Sequence, residues 1–381
     1  MEYRKLGNTG MSASVIGLGA EHLDNKPYEV VEETIFAALD NEINIMDVFM
    51  PGQEIRQNIG KALKGNRDKF ILQGHIGSVD LNQQYDISRD INIVKKYFEN
   101  LLKYLQTDYI DIGMLFFIDS QKDFDGVFKT EFIDYALDLK KKGIIRAIGA
   151  SSHNPIMAKK VIETGLVESL MFSINPAFDM VPAENDVLSY LEGGFDKNNL
   201  VQIDPKRNEL YTFCQSKNVS ITVMKTLGAG KLISPEYTPF KEPLTVGQCI
   251  HYALSRPAVV STLIGCQSKK QIEEAVNYFN LTEQEKDYSY AIKNLATDFK
   301  GSCVYCNHCL PCPAQIDIAA VNKYLDIALL NKDNIPPSIK QHYNSLEHNG
   351  KDCIQCGNCE RRCPFSVPII KNMEQAAEVF G

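Results

Sequence analysis

The 381-residue sequence contains no apolar run that reaches the roughly 20 residues needed by a membrane-spanning helix. It also lacks a charged and then apolar N-terminal leader, and it has no basic stretch interleaved with aromatic residues. The formal net charge of −8 is unfavourable for binding nucleic acid or an anionic membrane. We therefore expect a cytoplasmic protein that binds neither, and the length predicts two or three domains.

Cysteine is scarce in the first 300 residues and concentrated afterwards. Three of the eleven cysteines stand alone in apolar stretches, where buried thiols are expected: Cys214, Cys249 and Cys266. The other eight all lie between Cys303 and Cys363. In a compartment that keeps thiols reduced, such clustering indicates metal binding rather than disulfides.

The eight clustered cysteines form two runs, and each run ends in Cys-Pro. The second run, with the spacing C-x2-C-x2-C-x3-C-P of bacterial ferredoxins, consists of Cys353, Cys356, Cys359 and Cys363. The first run is one residue tighter before its last member and consists of Cys303, Cys306, Cys309 and Cys312. The spacing predicts two [4Fe-4S] clusters, and a pair of four-cysteine zinc sites is the alternative.

In two-cluster ferredoxins the fourth cysteine of each run serves the other cluster. One predicted ligand set is therefore Cys303, Cys306, Cys309 and Cys363, and the other is Cys353, Cys356, Cys359 and Cys312. Between the runs, apolar residues recur at helical spacing from Ile316 to Leu330. A helical insert of this kind resembles the α-helical ferredoxin domains of respiratory and flavin enzymes.

The preceding part of the chain alternates short apolar runs with longer amphipathic segments such as Ile91 to Leu105. The predicted strands are 13–19, 43–49, 69–76, 110–117, 146–151, 169–175, 219–226 and 259–265. Eight strand-helix units with nearly continuous apolar strands predict an α/β fold, the (β/α)8 TIM barrel. We expect the barrel at 1–280, a connecting helix at 281–299 and the small α-helical ferredoxin-type domain at 300–381.

Several segments of the barrel resemble aldo-keto reductases. They are Tyr3 to Gly10, Ile16 to Gly19, Asp108 to Asp111, Ile148 to Ser151, and Ile264-Gly265 with Ser268. The whole chain is similar to aldo-keto reductase-like proteins that carry a C-terminal ferredoxin domain. The resemblance implies a barrel whose carboxyl-terminal end holds a nucleotide cofactor and a small-molecule substrate.

The family reduces carbonyls with NADPH through a tetrad of aspartate, tyrosine, lysine and histidine. Here only the aspartate is present, as Asp47, and the other three places hold Pro51, His75 and Phe116. Because proline and phenylalanine cannot transfer protons, ordinary carbonyl reduction by the tetrad is not expected. Asp47 and His75 are the candidate catalytic residues, since an imidazole beside a carboxylate suits proton transfer. Their alternative roles are a structural anchor and a hydrogen-bonded strand end.

The nucleotide positions implied by the resemblance are only partly kept. Ser151 and Glu274 are retained, whereas Ser152, Met224 and Gln267 replace the residues usual in the family. The candidate cofactor-binding residues are Ser151, Ser152, Asn175, Lys225, Gly265, Ser268, Lys269 and Glu274. The cofactor can therefore be NADP(H), or FMN at the phosphate site common in such barrels.

Two functions are compatible with these parts. The first is an iron-sulfur oxidoreductase whose clusters relay electrons to or from a cofactor and small-molecule pocket in the barrel, with a flavin suited to bridge one-electron and two-electron steps. The second is an electron carrier whose non-catalytic barrel docks a redox partner. The expected partners are a small-molecule substrate and an electron-donor or electron-acceptor protein. The long segment from Phe178 to Arg207 is a candidate lid.

Overall fold

The computed structural model describes residues 1–81, 84–190, 203–293, 301–332 and 335–381. The middle of the candidate lid, 191–202, lies outside the described residues. The strands in chain order are β1 (Tyr3–Lys5), β2 (Ser12–Ser14), β3 (Ile16–Gly19), β4 (Ile45–Val48), β5 (Ile71–Ile76), β6 (Ser78–Leu81), β7 (Gln84–Ile87), β8 (Ile110–Leu115), β9 (Ile145–Ser152), β10 (Ser169–Ser173), β11 (Ser220–Met224) and β12 (Val259–Gly265).

Eight of these strands form a closed parallel barrel in the order β3, β4, β5, β8, β9, β10, β11 and β12, with β12 paired to β3. Each falls within or across one of the eight predicted strand regions, so the (β/α)8 barrel is confirmed. The strands could be recognised because a parallel sheet covered by helices is buried on both faces and reads as continuous apolar runs. β8, for example, is buried along its whole length.

The helices in chain order are α1 (Tyr28–Asp40), α2 (Gln53–Ala62), α3 (Ile91–Leu105), α4 (Gln121–Phe128), α5 (Glu131–Lys141), α6 (Pro155–Glu163), α7 (Pro176–Asp179), α8 (Pro205–Ser216), α9 (Val246–Leu254), α10 (Lys269–Val276), α11 (Glu283–Lys286), α12 (Ser289–Lys293), α13 (Ile318–Leu330), α14 (Pro337–Asn344), α15 (Asn358–Arg362) and α16 (Ile369–Phe380). Short 3₁₀ turns occur at Ala20–Leu23, Arg67–Lys69, Lys231–Ile233, Asn277–Asn280 and Gly350–Asp352. α3 spans the predicted amphipathic segment and begins at Asp90, whose side chain accepts from two backbone amides. In the described ranges, every helix is too short or too polar to cross a bilayer.

The hairpin β1–β2 closes the amino-terminal end of the barrel. Leu6 and Ala13 from this hairpin are fully buried and pack against the start of β4 at Ile45. The same apolar cluster fills the barrel interior with Ile112, Met114, Ala147, Met171, Val260 and Leu263. The barrel is therefore a packed core that is plugged at one end, and the polar strand ends at the carboxyl-terminal end are available for a site.

The C-terminal region is helical. No strand occurs in residues 301–332 and 335–381. The helix predicted from Ile316 to Leu330 is observed as α13, which begins after Asp317, the residue that caps it by accepting from the Ala320 amide. α11 and α12 lie in the predicted connecting segment, of which 294–299 are outside the described residues.

Candidate functional site

Asp47 and His75 lie side by side on neighbouring strands. β4 and β5 pair in parallel register, which places Asp47 opposite Gln73 and close to the ring of His75. Asp47 Oδ1 and His75 Nε2 are 2.8 Å apart, and each residue is only 2% exposed. The two residues that the sequence predicts to be catalytic are therefore in direct contact. Their catalytic role stays a prediction.

Aromatic rings enclose the imidazole. The Phe116 ring meets the His75 ring edge-on, with centroids 5.1 Å apart at 87°, and Phe49 lies 6.0 Å from the same ring. Phe116 and Pro51 are buried where the family would place its proton-transferring histidine and tyrosine. His75 Nδ1 has no hydrogen-bond partner in the described part of the chain. When Asp47 is ionised, Nε2 donates to it and Nδ1 is left as an acceptor nitrogen.

Asp119, which follows β8, forms hydrogen bonds at the end of β9, where the candidate residues Ser151 and Ser152 lie. The Ser152 hydroxyl donates to Asp119 Oδ1 at 2.8 Å, and His153 Nδ1 lies 2.8 Å from Asp119 Oδ2. Burial opposes ionisation of Asp119, but the His153 imidazole and these hydrogen bonds hold its pKa below the ordinary value. Ser151 Oγ accepts from the Phe117 amide at 2.9 Å. Sequence reasoning missed Asp119, although its position just after β8 was a signal.

Asn175 and Lys225 meet at the ends of β10 and β11. The Asn175 side chain accepts from the Phe178 amide at 2.8 Å and donates to the Lys225 carbonyl at 2.9 Å, so its amide caps α7 and ties two strand ends together. Lys225 has a positive φ of 61°, a strained conformation for a residue with a side chain. Its Nζ lies 3.7 Å from Glu21 Oε2, so the ammonium reaches the loop after β3.

The segment after β12 has the features of an anion site. Ser268 precedes α10, and its hydroxyl makes no capping bond to the helix. Lys269 lies in the first turn, 3.9 Å from Glu273, and Glu274 is exposed one residue further on. Gly265 is covered by the ring of His22, because a Cβ at this position would come within 2.3 Å of His22 Cδ2. The amino-terminal end of a helix attracts phosphate groups through its free amides and its dipole.

The first cysteine run forms a centre with a cysteine from the second. A small cavity of about 20 Å³ is lined by Cys303, Cys306, Cys309 and Cys363, together with apolar residues of α13 and α16. Burial raises the pKa of the Cys306 thiol to about 12. All eleven cysteines are free thiols, and the three isolated ones are buried as predicted. The four cysteines at this cavity are those of one predicted ligand set.

The second run lies closer to the surface. Cys359 is buried and Cys353 is half-buried, whereas Cys356 is exposed, and so is Ile354, two residues before it, at 64%. Cys312 is half-buried and borders a different cleft. Across the described ranges, no three cysteine, histidine or carboxylate side chains converge closely enough to hold a single metal ion. The ligand set that includes Cys312 therefore stays a prediction.

The cysteine centre and the Asp47–His75 pair lie at opposite ends of the barrel. Arg256, three residues before β12, donates from Nη2 to the carbonyl of Val304 at 2.5 Å, and Val304 directly follows Cys303. The first run is thus attached at the amino-terminal end of β12, whereas Gly265 ends that strand on the other side. At about 3.3 Å per residue, the length of β12 separates the two ends by about 20 Å.

Comparison with known proteins places the barrel in a family. A sequence model described as the aldo/keto reductase family matches residues 15–243, which is more than half of the chain, and the chain belongs to this family. It is 26% identical over 302 residues to the protein named uncharacterized oxidoreductase YqkF of Bacillus subtilis (strain 168), covering 75% of this chain and 94% of the relative. It is 27% identical over 307 residues to L-galactose dehydrogenase of Arabidopsis thaliana, covering 72% and 87%.

Solved structures share the fold. The holo form of aldo-keto reductase AKR11C1 from Bacillus halodurans superposes with a TM-score of 0.59 at 22% identity, covering 78% of this chain and 97% of that chain. An aldo-keto reductase from Klebsiella pneumoniae, solved in complex with NADPH, gives a TM-score of 0.52 at 15% identity, covering 74% and 91%. These likenesses show the barrel fold, and the match to the aldo/keto reductase family indicates an oxidoreductase.

Proposed function

We propose that this chain is an iron-sulfur oxidoreductase of the aldo/keto reductase family. In this proposal the eight clustered cysteines hold two [4Fe-4S] clusters, which relay electrons to or from a cofactor and small-molecule pocket at the carboxyl-terminal end of the barrel. The observation that carries it is the cavity at which Cys363 joins Cys303, Cys306 and Cys309, since Cys363 is distant in sequence and matches the exchanged fourth ligand of two-cluster ferredoxins.

The donor set fits an iron-sulfur cluster better than zinc. A structural zinc ion holds its four sulfurs at about 2.3 Å from one point, so its cysteines must converge. The cysteines here come from two runs that each end in Cys-Pro and share one cavity, an arrangement used by two-cluster ferredoxins and not required by a four-cysteine zinc site. A cluster, when bound, supplies one-electron chemistry and spaces its sulfur ligands more widely than a single ion does.

In the pocket, this chain's own residues handle protons and exclude water. Asp47 fixes the orientation of His75 through the 2.8 Å contact, and this leaves Nδ1 as the nitrogen that takes up or releases a proton. Phe49 and Phe116 surround the imidazole and exclude solvent from it. The absence of a hydroxyl at position 51 argues against carbonyl reduction by the ordinary tetrad.

NADP(H) and FMN share a phosphate, and the residues at the start of α10 suit that part of either cofactor. At the start of α10, the Ser268 hydroxyl makes no capping bond, and the Lys269 ammonium lies 3.9 Å from Glu273 in an exposed pair that a phosphate would replace. At the other side of the pocket, Ser152 and Asn175 are occupied by hydrogen bonds within the protein, and Ser151 accepts from the Phe117 amide. The phosphate end is therefore the better supported half of either cofactor site.

The second candidate function is an electron carrier with a non-catalytic barrel. It is favoured by the separation of about 20 Å along β12 between the cysteine centre and the candidate pocket, and by the burial of Asp47 and His75, each 2% exposed. In this alternative the exposed second run would meet a redox partner protein, and the barrel would bind no cofactor.

Anaerobic titration with NADPH, NADH and FMN separates the two functions. We expect the oxidoreductase to bind at least one of them, and Ser268→Asp to weaken that binding at least about tenfold, because a carboxylate at the start of α10 repels phosphate. Ser345→Asp, on the exposed end of α14, makes the same change in net charge and should leave affinity unchanged. If the barrel binds none of the three compounds, the result supports the electron carrier and contradicts the oxidoreductase.

A further inference from the structure

Arg256 connects the barrel to the first cysteine run. It follows α9, is 4% exposed, and donates from Nη2 to the Val304 carbonyl at 2.5 Å and to the Tyr288 hydroxyl at 2.9 Å. The Tyr288 hydroxyl also donates to the Val304 carbonyl, at 2.9 Å. Because Val304 stands next to Cys303, these bonds fix the backbone within the predicted ligand loop.

The guanidinium of Arg256 is a buried charge whose hydrogen-bond partners are uncharged, and the Asp179 carboxylate acts on it from beyond hydrogen-bond distance. Its Nη2 contacts two hydroxyls and a carbonyl among the described residues. The Tyr252 ring centroid lies 4.4 Å from its Cζ, and the Tyr305 ring centroid lies 5.1 Å away. Aromatic faces stabilise a guanidinium without neutralising it. The positive charge therefore acts at close range in surroundings that screen it weakly.

We propose that Arg256 is a positioning residue that raises the reduction potential of the cluster held by Cys303, Cys306, Cys309 and Cys363. This inference rests on the proposed iron-sulfur clusters. Reduction adds one negative charge to the centre, and a fixed positive charge beside the ligand loop stabilises the reduced form more than the oxidised form. The hydrogen bonds to Val304 keep that charge at a constant distance from Cys303.

Arg56 provides a matched control. It is fully buried in α2, and it donates to the carbonyl of Met50 at 2.9 Å and to that of Tyr97 at 3.3 Å. Met50 follows β4 at the carboxyl-terminal end of the barrel, whereas Arg256 lies at the amino-terminal end of β12. A change in potential that comes from a general loss of barrel stability would appear in an Arg56 variant as well.

The test is an anaerobic redox titration of the full chain, followed by electron paramagnetic resonance. For Arg256→Gln we expect one of the two cluster potentials to become more negative by at least about 59 mV. This corresponds to a tenfold change in the equilibrium constant of a one-electron reduction. The second potential should change less. Arg256→Lys, which keeps the charge, and Arg56→Gln should both stay near the wild-type values.

Unchanged potentials in Arg256→Gln, with both clusters present, would overturn the inference. Loss of the first-run cluster from both Arg256→Gln and Arg256→Met would also overturn it, because Arg256 would then be required for assembly rather than for the potential. A wild-type protein without iron is a separate result, which contradicts the proposed function itself.

Discussion

At the residue scale, Cys363 is the side chain on which the cluster assignment depends most. It belongs to the second run in sequence but lines the cavity of the first run in space. Cys363→Ala should remove the first-run cluster, which is about four of eight irons, and leave the second. Iron and sulfide analysis together with electron paramagnetic resonance would measure this.

The reciprocal variant and a control belong to the same experiment. Cys312→Ala should remove the second-run cluster and spare the first, whereas Cys266→Ala, which changes a buried isolated thiol, should retain all iron. Loss of the first-run cluster in Cys312→Ala, with the second intact, would show that the fourth ligands are not exchanged.

His251 makes the stability of the folded chain depend on pH. Burial lowers its pKa from 6.5 to about 4, and its Nδ1 lies 3.2 Å from the Tyr278 hydroxyl. A depressed histidine pKa means that the unfolded chain binds more protons in this interval, so the free energy of unfolding falls as pH falls from 6.5 toward 4. Between about pH 7.5 and about pH 5.5 the loss is about 1 kcal/mol.

Urea unfolding of wild type and His251→Gln under anaerobic conditions measures this loss. The variant should lose about 1 kcal/mol less over the same interval, because glutamine does not titrate. An identical pH dependence in the two proteins would show that His251 is not the group responsible.

At the scale of elements, the β1–β2 hairpin completes the barrel core. Leu6 is fully buried in the interior cluster, so Leu6→Ala should lower the free energy of unfolding by about 2–5 kcal/mol. Lys5→Ala, on the exposed strand next to it, should change the free energy by less than about 0.5 kcal/mol. Equal effects in a denaturant titration would mean that the hairpin does not stabilise the barrel.

The elements that the sequence predicted well are those with a strong periodic signal. β8 and α3 are long enough for continuous burial or helical amphipathicity to be read directly. The sequence does not predict the hairpin strands, because β1 has only three residues and the pattern predicts β2 and β3 as one strand at 13–19. β6 and β7 were missed for the same reason, since pairing of such short segments depends on tertiary contacts.

At the scale of the whole molecule, the position of the cysteine centre could not be predicted. Arg256 and Val304 are 48 residues apart in sequence, and neither lies in a sequence motif that predicts their contact. The ligand cysteines and the Asp47–His75 pair are predicted from spacing and family position, but no sequence feature indicates that they lie at opposite ends of the barrel. The contact of Asp119 with Ser152 was also not predicted, because it joins segments that are 33 residues apart in sequence.

This arrangement assigns different tasks to the two ends. The amino-terminal end carries the plug and the cysteine centre, and the carboxyl-terminal end carries the paired acid and imidazole with the helix start at Ser268. A cofactor at the carboxyl-terminal end would have to exchange electrons with the clusters through about the height of the barrel, about 20 Å along β12. The rate of cluster reduction by a bound nucleotide is therefore expected to be slow compared with its binding.

The most direct test of the account is metal and sulfide analysis of the wild-type chain, purified without exposure to oxygen. We predict about eight irons and about eight inorganic sulfides per chain, with the visible absorption of [4Fe-4S] clusters that bleaches on chemical reduction. Zinc in place of iron, or a stable protein with no metal, would contradict it.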